Sequence, residues 1–296
     1  MPYLETSDST EIYYTDWGTG APVVLIHGWP LNSDMWEKQA NYLAENGLRV
    51  ICYDRRGFGR SEQTWDGYDY DTLASDLNDL MEALDLRAAT LIGFSMGGGE
   101  IVRYLSKFGQ QRVAKAVLIS AVPPFLLQTA DNPEGVESKV FEDIEKNILK
   151  DRPAFLHSFA QKFFGRTTLN HTVSEQVLDW STSMGMIGSL RATLQSAASW
   201  ATTDFRQEMQ ALDLPVRIIH GTSDATVPLE VSGARSARLL PNSTLSEYNG
   251  EPHGLFLTAA DQLNEELLEF ITGGATPTGR PEELHVGNYA TSARQL

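Results

Sequence analysis

The sequence is poor in three features that place a protein in special classes: cysteine, positive charge and long apolar runs. The only cysteine, Cys52, excludes a disulfide within the chain, and its place in the apolar run 50–53 predicts a buried structural thiol. Lysine and arginine number 23 against 39 acidic residues, and the net charge of −16 disfavours nucleic acid and anionic membranes as partners. No apolar run approaches the roughly 20 residues of a membrane span.

Targeting and cofactor motifs are also missing. The first ten residues have neither the positively charged start nor the apolar segment of a secretion signal, so we expect a cytoplasmic protein. The sequence contains no H-E-x-x-H, no C-x-x-C, no phosphate loop ending in G-K-[ST] and no G-x-G-x-x-G. We therefore expect neither a metal nor an organic cofactor.

Five short runs, rich in β-branched residues, lack the alternation of polar and apolar residues that a half-exposed strand shows. Such runs are typical of strands covered on both faces of a parallel sheet; they are residues 22–26, 49–53, 89–92, 116–119 and 216–219. Between the runs, apolar residues recur at helical spacing, as in Leu73, Leu77 and Leu80. The pattern predicts an α/β fold with a mostly parallel central sheet and helices on both faces.

The alternation of strand and helix stops after residue 122 and resumes near residue 206. We interpret 1–122 and 206–273 as two parts of one core, and 123–205 as an inserted helical cap. Thr258 and Asp261 predict an N-terminal cap for the last helix, and Gly273 predicts its end. The polar tail 274–296 has no periodicity, so we expect it to be loose or held by a neighbouring subunit.

One serine lies among glycines directly after a predicted strand, in the sequence Gly93-Phe94-Ser95-Met96-Gly97. A sharp turn from strand to helix exposes the serine hydroxyl, and it requires glycine on both sides because larger residues would collide with the turn. The pattern predicts a nucleophile elbow whose helix N-terminus supplies N–H groups to an oxyanion. The alternative is a glycine-rich turn with an idle serine.

A serine hydroxyl needs a base to attack at neutral pH, and the base needs an acid to orient it. His253 follows a possible strand at 243–248, and Asp224 follows the strand at 216–219, so both reach the carboxyl edge of the sheet, where open α/β sheets place their sites. Taken singly, each could be an idle surface histidine or a helix-capping aspartate. Of the other histidines, His220 is expected to be packing at a strand end, and His157, His171 and His285 lie in the cap or tail.

The sequence His27-Gly28-Trp29-Pro30 follows the first predicted buried strand. A residue in this place is suited to give a backbone N–H to the oxyanion, so we assign that role to Trp29, with Met96 as the second donor. We expect His27 to be a structural hydrogen-bonding residue rather than the base. Residues 57–61 are interpreted as a structural turn.

Six motifs together resemble the α/β-hydrolase superfamily, and more narrowly its cofactor-free bacterial haloperoxidases, or perhydrolases, which are related to aryl esterases and some γ-lactamases. In chain order the motifs are HGWP, YDRRGFGRS, GYDYDTLASDL, GFSMGGGE, GTSD and EPHGLF. The resemblance implies an α/β-hydrolase fold, Ser95 as nucleophile, Asp224 as acid, His253 as base, and Trp29 and Met96 as oxyanion donors. It further implies that a proline at position 30 suits the use of peroxide.

The expected activity is acyl transfer through a serine ester, with a small acyl substrate and water or hydrogen peroxide as partners. Water gives ester hydrolysis, whereas peroxide gives a peracid that oxidises halide. The alternatives are an ordinary carboxylesterase, lactonase or γ-lactamase, and an inert α/β-hydrolase that acts as a receptor. We expect a small, apolar acyl pocket and a homo-oligomer; the candidate pocket residues are Phe94, Pro30, Phe125, Phe159 and Ile187.

Overall fold

Eight strands form one sheet through the centre of the molecule. The structure is a computed structural model and describes residues 2–274. The strands, in chain order, are β1 Tyr3–Glu5, β2 Glu11–Trp17, β3 Pro22–Ile26, β4 Arg49–Tyr53, β5 Ala89–Phe94, β6 Val113–Ile119, β7 Val216–Gly221 and β8 Ser243–Tyr248. Their spatial order is β1-β2-β4-β3-β5-β6-β7-β8.

Six neighbouring strands, β3 to β8, are mutually parallel, whereas β1 and β2 join the edge in antiparallel pairs. The mostly parallel sheet is therefore confirmed. The sequence pattern does not predict the antiparallel strands β1 and β2, because each keeps exposed residues and so shows no continuous apolar run.

Within residues 2–274, ten α-helices surround this sheet. They are α1 Glu37–Glu45, α2 Tyr70–Ala83, α3 Met96–Phe108, α4 Ser138–Phe163, α5 Glu175–Ile187, α6 Leu190–Thr202, α7 Arg206–Gln210, α8 Gly233–Leu239, α9 Leu255–Thr258 and α10 Ala260–Thr272. Alternate residues of each central strand serve opposite layers: Val24 packs in the layer of α2 and α3, and Val23 in the layer of α1 and α10. Burial on both faces explains the missing polar alternation. Cys52 is buried in the second layer, and burial raises the pKa of its thiol to about 12.

Helices α4, α5 and α6 occupy the chain between β6 and β7, where the sequence predicts a cap. Helix α4 bends at Asp151, which has non-helical backbone angles, because Pro153 lacks the N–H that would continue the helix. The Asp151 carboxylate accepts the N–H of Ala154 at 3.0 Å and starts the second half of the helix. The division of the chain at residues 122 and 205 stays a prediction.

The last helix ends where the sequence predicts, but it does not begin as predicted. Gly273 closes α10 at φ 68°, as predicted, but Thr258 does not cap its start. Thr258 belongs to α9, and its hydroxyl donates to Glu251 at 2.5 Å, so α10 begins at Ala260 without a side-chain cap. Of the predicted tail 274–296, residues 275–296 lie outside the described residues.

Candidate active site

The carboxyl ends of three parallel strands bring Ser95, Asp224 and His253 together. Ser95 directly follows β5, Asp224 lies in the turn after β7, and His253 lies in the loop after β8. His253 Nε2 is 3.1 Å from Ser95 Oγ, and its Nδ1 is 2.6 Å from Asp224 Oδ2. Because a carboxylate only accepts, Nδ1 carries the hydrogen, and Nε2 is left to accept from the serine.

The turn at Ser95 has the strained geometry that a nucleophile elbow requires. Its φ of 53° and ψ of −115° are rare for a residue with a side chain. A Cβ on Gly93 would lie 2.5 Å from the carbonyl oxygen of Gly97, and one on Gly97 would lie 2.6 Å from that of Ile26. The need for glycine on both sides of the serine is thus confirmed as steric.

The Asp224 carboxylate is held on both oxygens. Oδ1 accepts the backbone N–H groups of Thr226 and Val227, each at 2.8 Å, and Oδ2 faces His253. Burial alone would raise the pKa of Asp224, but the charge of His253 and the contacts of His220 and His253 outweigh it and hold that pKa well below the usual range. Asp224 is therefore ionised at neutral pH.

The imidazole of His253 is fixed by two aromatic rings. The centroids of Phe94 and Phe163 lie 4.9 and 4.8 Å from that of His253. Phe94 is fully buried and does not line the cavity above the serine, contrary to the expectation that it forms a pocket wall. It acts as packing that orients His253.

Two backbone N–H groups close to Ser95 have no acceptor within the part of the chain that the structure describes. Met96 N begins α3, and Trp29 N lies in the loop after β3. This loop approaches the serine closely, since a Cβ on Gly28 would come within 3.1 Å of Ser95 Cβ. Both groups predicted as oxyanion donors thus lie at the elbow.

His27 is tied into a buried network beside this loop. Its Nε2 accepts the backbone N–H of Arg55 at 2.9 Å, and its Nδ1 lies 3.0 Å from the carbonyl oxygen of Gly28. Arg55 also donates to the carbonyl oxygen of His27 and to Glu100, whose other oxygen accepts from Tyr53. Burial, followed by the charge of Arg55, lowers the pKa of His27 to about 3. The structural role expected of His27 is confirmed.

The segment that contains residues 57–61 is a braced turn. The Asp54 carboxylate accepts the backbone N–H and hydroxyl of Ser33, at 2.8 and 2.5 Å, and the guanidinium of Arg60 at 2.8 Å. Arg56 pairs with Asp76 at 2.5 Å. These contacts confirm the expected structural role.

A cavity of about 530 Å³ opens above Ser95 and His253. Its walls are mainly apolar and come from the β3 loop, the segment between β6 and α4, α4, α6 and the turn after β7: Trp29, Val122, Leu126, Val136, Val140, Phe141, Ile144, Phe155, Phe159, Trp200 and Val227. The indole N–H of Trp29 donates to the carbonyl oxygen of Thr193 in α6 at 2.9 Å, and its ring centroid lies 5.3 Å from that of Phe159. The cavity is apolar, as expected, but it is larger than a short acyl group fills.

Of the candidate pocket residues, Phe159 alone lines this cavity. Pro30 is buried behind Trp29, where it lies beside Gly185 of α5. Phe125 stacks under Arg206 at 5.2 Å, and Ile187 is half exposed at the end of α5. Pro30, Phe125 and Ile187 do not lie on the wall of this cavity, and their assignment to the substrate pocket stays a prediction.

The remaining histidines fall into two groups. His157 and His171 lie next to Gln161 and Arg166, away from the serine, and His285 is outside the described residues. His220, expected to be packing alone, is fully buried with its Nε2 only 3.3 Å from Asp224 Oδ2. The sequence signal for this contact was the spacing of four residues between His220 and Asp224 across the turn after β7.

Two features of other protein classes are missing from residues 2–274. None of the helices there combines the length and the apolar character of a membrane span. No group of three or more His, Cys, Asp or Glu side chains is placed to hold a metal ion in the same range.

Comparisons with known proteins agree with this geometry. The family model described as alpha/beta hydrolase fold matches residues 21–260. A non-heme chloroperoxidase of Kitasatospora aureofaciens is 41% identical, with 92% of this chain and 99% of the relative covered. The bifunctional esterase/perhydrolase of Acinetobacter calcoaceticus is 42% identical at the same coverage. The fold is also similar to the crystal structure of a bromoperoxidase from Bacillus anthracis, with a TM-score of 0.86. The two sequences are 47% identical, and the match covers 89% of this chain and 96% of the bromoperoxidase chain. The chain therefore belongs to the α/β-hydrolase family, among relatives that include non-heme haloperoxidases and an esterase/perhydrolase.

Proposed function

We propose that this enzyme transfers acyl groups through an ester of Ser95, and that it passes them to water or to hydrogen peroxide. One observation carries the proposal: the hydrogen-bonded chain from Ser95 Oγ through both nitrogens of His253 to the buried carboxylate of Asp224, at 3.1 and 2.6 Å. This chain opens on a cavity that can hold an acyl substrate.

Each residue has a defined task in the first half of the reaction. Ser95 Oγ attacks the acyl carbon while His253 Nε2 takes its proton, and Asp224 stabilises the imidazolium that results. The N–H groups of Trp29 and Met96 bind the oxyanion of the tetrahedral intermediate. His253 then returns the proton to the leaving alcohol, or to hydroxide when the substrate is a free acid, and the acyl-enzyme remains.

The second half of the reaction decides the product. His253 removes a proton from water or hydrogen peroxide, which attacks the acyl-enzyme and frees Ser95. Water gives a carboxylic acid, and peroxide gives a peracid. A peracid that leaves the site oxidises bromide to hypobromous acid and is itself reduced to the carboxylate, so halide oxidation needs no halide site on the protein.

A second candidate, ester hydrolysis with only incidental perhydrolysis, is favoured by the cavity. Its volume of about 530 Å³ is in the range of sites for larger organic ligands and exceeds what a short acid such as acetate fills. The aromatic wall that includes Phe155, Phe159 and Trp200 suits an aryl or extended apolar group on either side of the ester.

The deciding experiment measures two activities in one preparation. Steady-state kcat/KM is determined for a phenyl ester and, separately, for peracid formation from acetate and hydrogen peroxide with bromide oxidation as the readout. We expect both activities, and we expect Ser95→Ala to abolish both, because one acyl-enzyme serves both. Halide oxidation that survives at the wild-type rate in Ser95→Ala would disprove the shared mechanism, and the ratio of the two kcat/KM values chooses between the candidates.

A cytoplasmic location and a homo-oligomeric state are further parts of the proposal. The oligomeric state rests on the resemblance to the haloperoxidases. Sedimentation velocity of the purified protein tests the oligomer, and a single species at the mass of one chain, 32.8 kDa, would reject it.

A further inference from the structure

His220 is a buried histidine that the proposed reaction does not use. It ends β7 with its side chain fully enclosed, four residues before Asp224. Its Nε2 lies 2.9 Å from the carbonyl oxygen of Val227 and 3.3 Å from Asp224 Oδ2. A titratable ring in contact with the acid of the proposed triad is more than strand packing.

The partners of His220 determine its tautomer. A carbonyl oxygen and a carboxylate oxygen can only accept, so Nε2 carries the hydrogen and donates to Val227. Nδ1 therefore has no hydrogen, and among the described residues it has no hydrogen-bond partner. Gly233 lies against this side of the ring, where a Cβ would come within 2.7 Å of Nδ1. Gly233 thus packs directly against the Nδ1 side of the ring, and Nε2 is the nitrogen that donates.

The Nε2 hydrogen of His220 links His220, through Val227, to the Asp224 carboxylate. Val227 donates its N–H to Asp224 Oδ1, and its carbonyl oxygen receives the N–H of His220. The same N–H edge faces Oδ2, the oxygen that accepts from His253. His220 therefore holds the turn 224–227 through its backbone and places a positive N–H edge beside the carboxylate.

We propose that His220 is a positioning residue that keeps the Asp224 carboxylate aligned with His253, and thereby sets the rate of acyl transfer. The proposal rests on the proposed function of the triad. Its effect reaches the reacting atoms only through Asp224, so it is expressed in turnover and is lost when the carboxylate is absent. Substrate binding is unaffected in first order, because His220 does not line the cavity.

The test is a double-mutant cycle of His220→Leu with Asp224→Asn, measured on an ester in the full chain. In the wild-type background, His220→Leu is expected to lower kcat by about tenfold to 100-fold with KM changed less than about twofold, as a displaced catalytic group does. In the Asp224→Asn background it is expected to change kcat by less than about twofold, because the group that it positions has gone.

Two controls separate positioning from stability. Ile218→Ala removes a buried apolar side chain from the same strand, two residues before His220, so it should lower the melting temperature while kcat stays near that of the wild type. His220→Gln keeps an N–H donor on a shorter planar group and should recover most of the lost kcat. If His220→Leu does not fold, His220→Gln and His220→Phe are compared in the same cycle.

The outcomes are distinct. An equal loss of kcat from the His220 substitution in both Asp224 backgrounds, or no loss in either, overturns the positioning role. If Ser95→Ala keeps the ester activity of the wild type, the proposed function itself fails. A silent His220 substitution beside an inactive Ser95→Ala rejects the positioning role alone.

Discussion

His253 and His27 both lie buried at the carboxyl edge of the sheet, yet their ring nitrogens face different partners. Both nitrogens of His27 are occupied by the backbone, through the N–H of Arg55 and the carbonyl oxygen of Gly28. His253 has one nitrogen on the Asp224 carboxylate and the other on a serine that lines a cavity. Both rings are buried, so burial does not distinguish them. The partner of Nε2 does: it is a backbone N–H for the structural His27 and the Ser95 hydroxyl for the proposed base His253.

The charged groups that surround the two rings also differ. A positive Arg55 beside His27 opposes its protonation, and burial does the same, which lowers the pKa of His27 to about 3. His253 instead lies against an ionised carboxylate, which can stabilise an imidazolium. A buried histidine is suited to take a proton where a negatively charged group can stabilise the imidazolium that forms.

The largest expected effect tests this contrast directly. His253→Ala should lower kcat for ester hydrolysis by about 10⁶-fold, as loss of the base does in serine proteases. His27→Ala should keep kcat within about tenfold while it lowers the melting temperature, because it removes buried hydrogen bonds rather than the base. Steady-state kinetics and thermal unfolding of both variants provide the measurements.

The assignment of the base would be wrong if a folded His27→Ala variant had no turnover and the His253→Ala variant had nearly normal kcat.

The next effect in size concerns the acid. Asp224→Asn should leave the fold intact and lower kcat by roughly 10⁴-fold, because the amide stabilises the wrong tautomer of His253. The far-ultraviolet circular dichroism spectrum and kcat are measured together. Glu247→Gln, on the exposed side of β8, is the matched control for loss of one carboxylate and should change neither. A kcat within tenfold of the wild type in folded Asp224→Asn contradicts the triad.

A smaller effect is expected at Pro30, which fixes the loop that carries Trp29. We propose that a carbonyl of this loop accepts a hydrogen bond from the attacking peroxide, so Pro30→Leu, which frees the loop, should lower perhydrolysis relative to hydrolysis. A hydrogen bond made only in the transition state and worth about 1.4 kcal/mol changes the ratio about tenfold. The measurement is the ratio of the two kcat/KM values. An unchanged ratio in the folded variant means that Pro30 only stiffens the turn.

Removal of metal ions is expected to have no effect on activity. Exhaustive dialysis of the enzyme against a chelator should leave both activities unchanged, since the proposed steps use only side chains and backbone N–H groups. A loss of activity that returns only when a divalent metal is added shows that a metal site exists.

The accuracy of the sequence predictions differs between the sheet and the inserted helices for a physical reason. Ser95, Asp224 and His253 were located because each follows a strand, and parallel strands end at one edge. Their role as a triad stays a proposal, but their meeting point is set by backbone topology, which the apolar runs reveal. The antiparallel strands β1 and β2 were not predicted because their exposed residues interrupt the apolar pattern.

The pocket wall could not be located in the same way. Phe159 lines the cavity and Phe125 does not, although both are aromatic residues of the predicted cap. Phe125 lies in the irregular segment between β6 and α4, where no helical or strand period relates a residue's place in the sequence to the direction of its side chain. The contact of His220 with Asp224 was also missed, because it depends on the path of a turn rather than on a strand or helix.

The proposed oxyanion donors belong to the main chain of Trp29 and Met96, and this has a consequence for how the enzyme can change. Apart from proline, every amino acid keeps its backbone N–H, so a point mutation at either position preserves the donor as long as the turn is kept. The indole of Trp29 is thus open to variation: a new side chain there reshapes the cavity wall and its bond to Thr193. Substrate range can evolve at residue 29 while the chemistry is inherited unchanged.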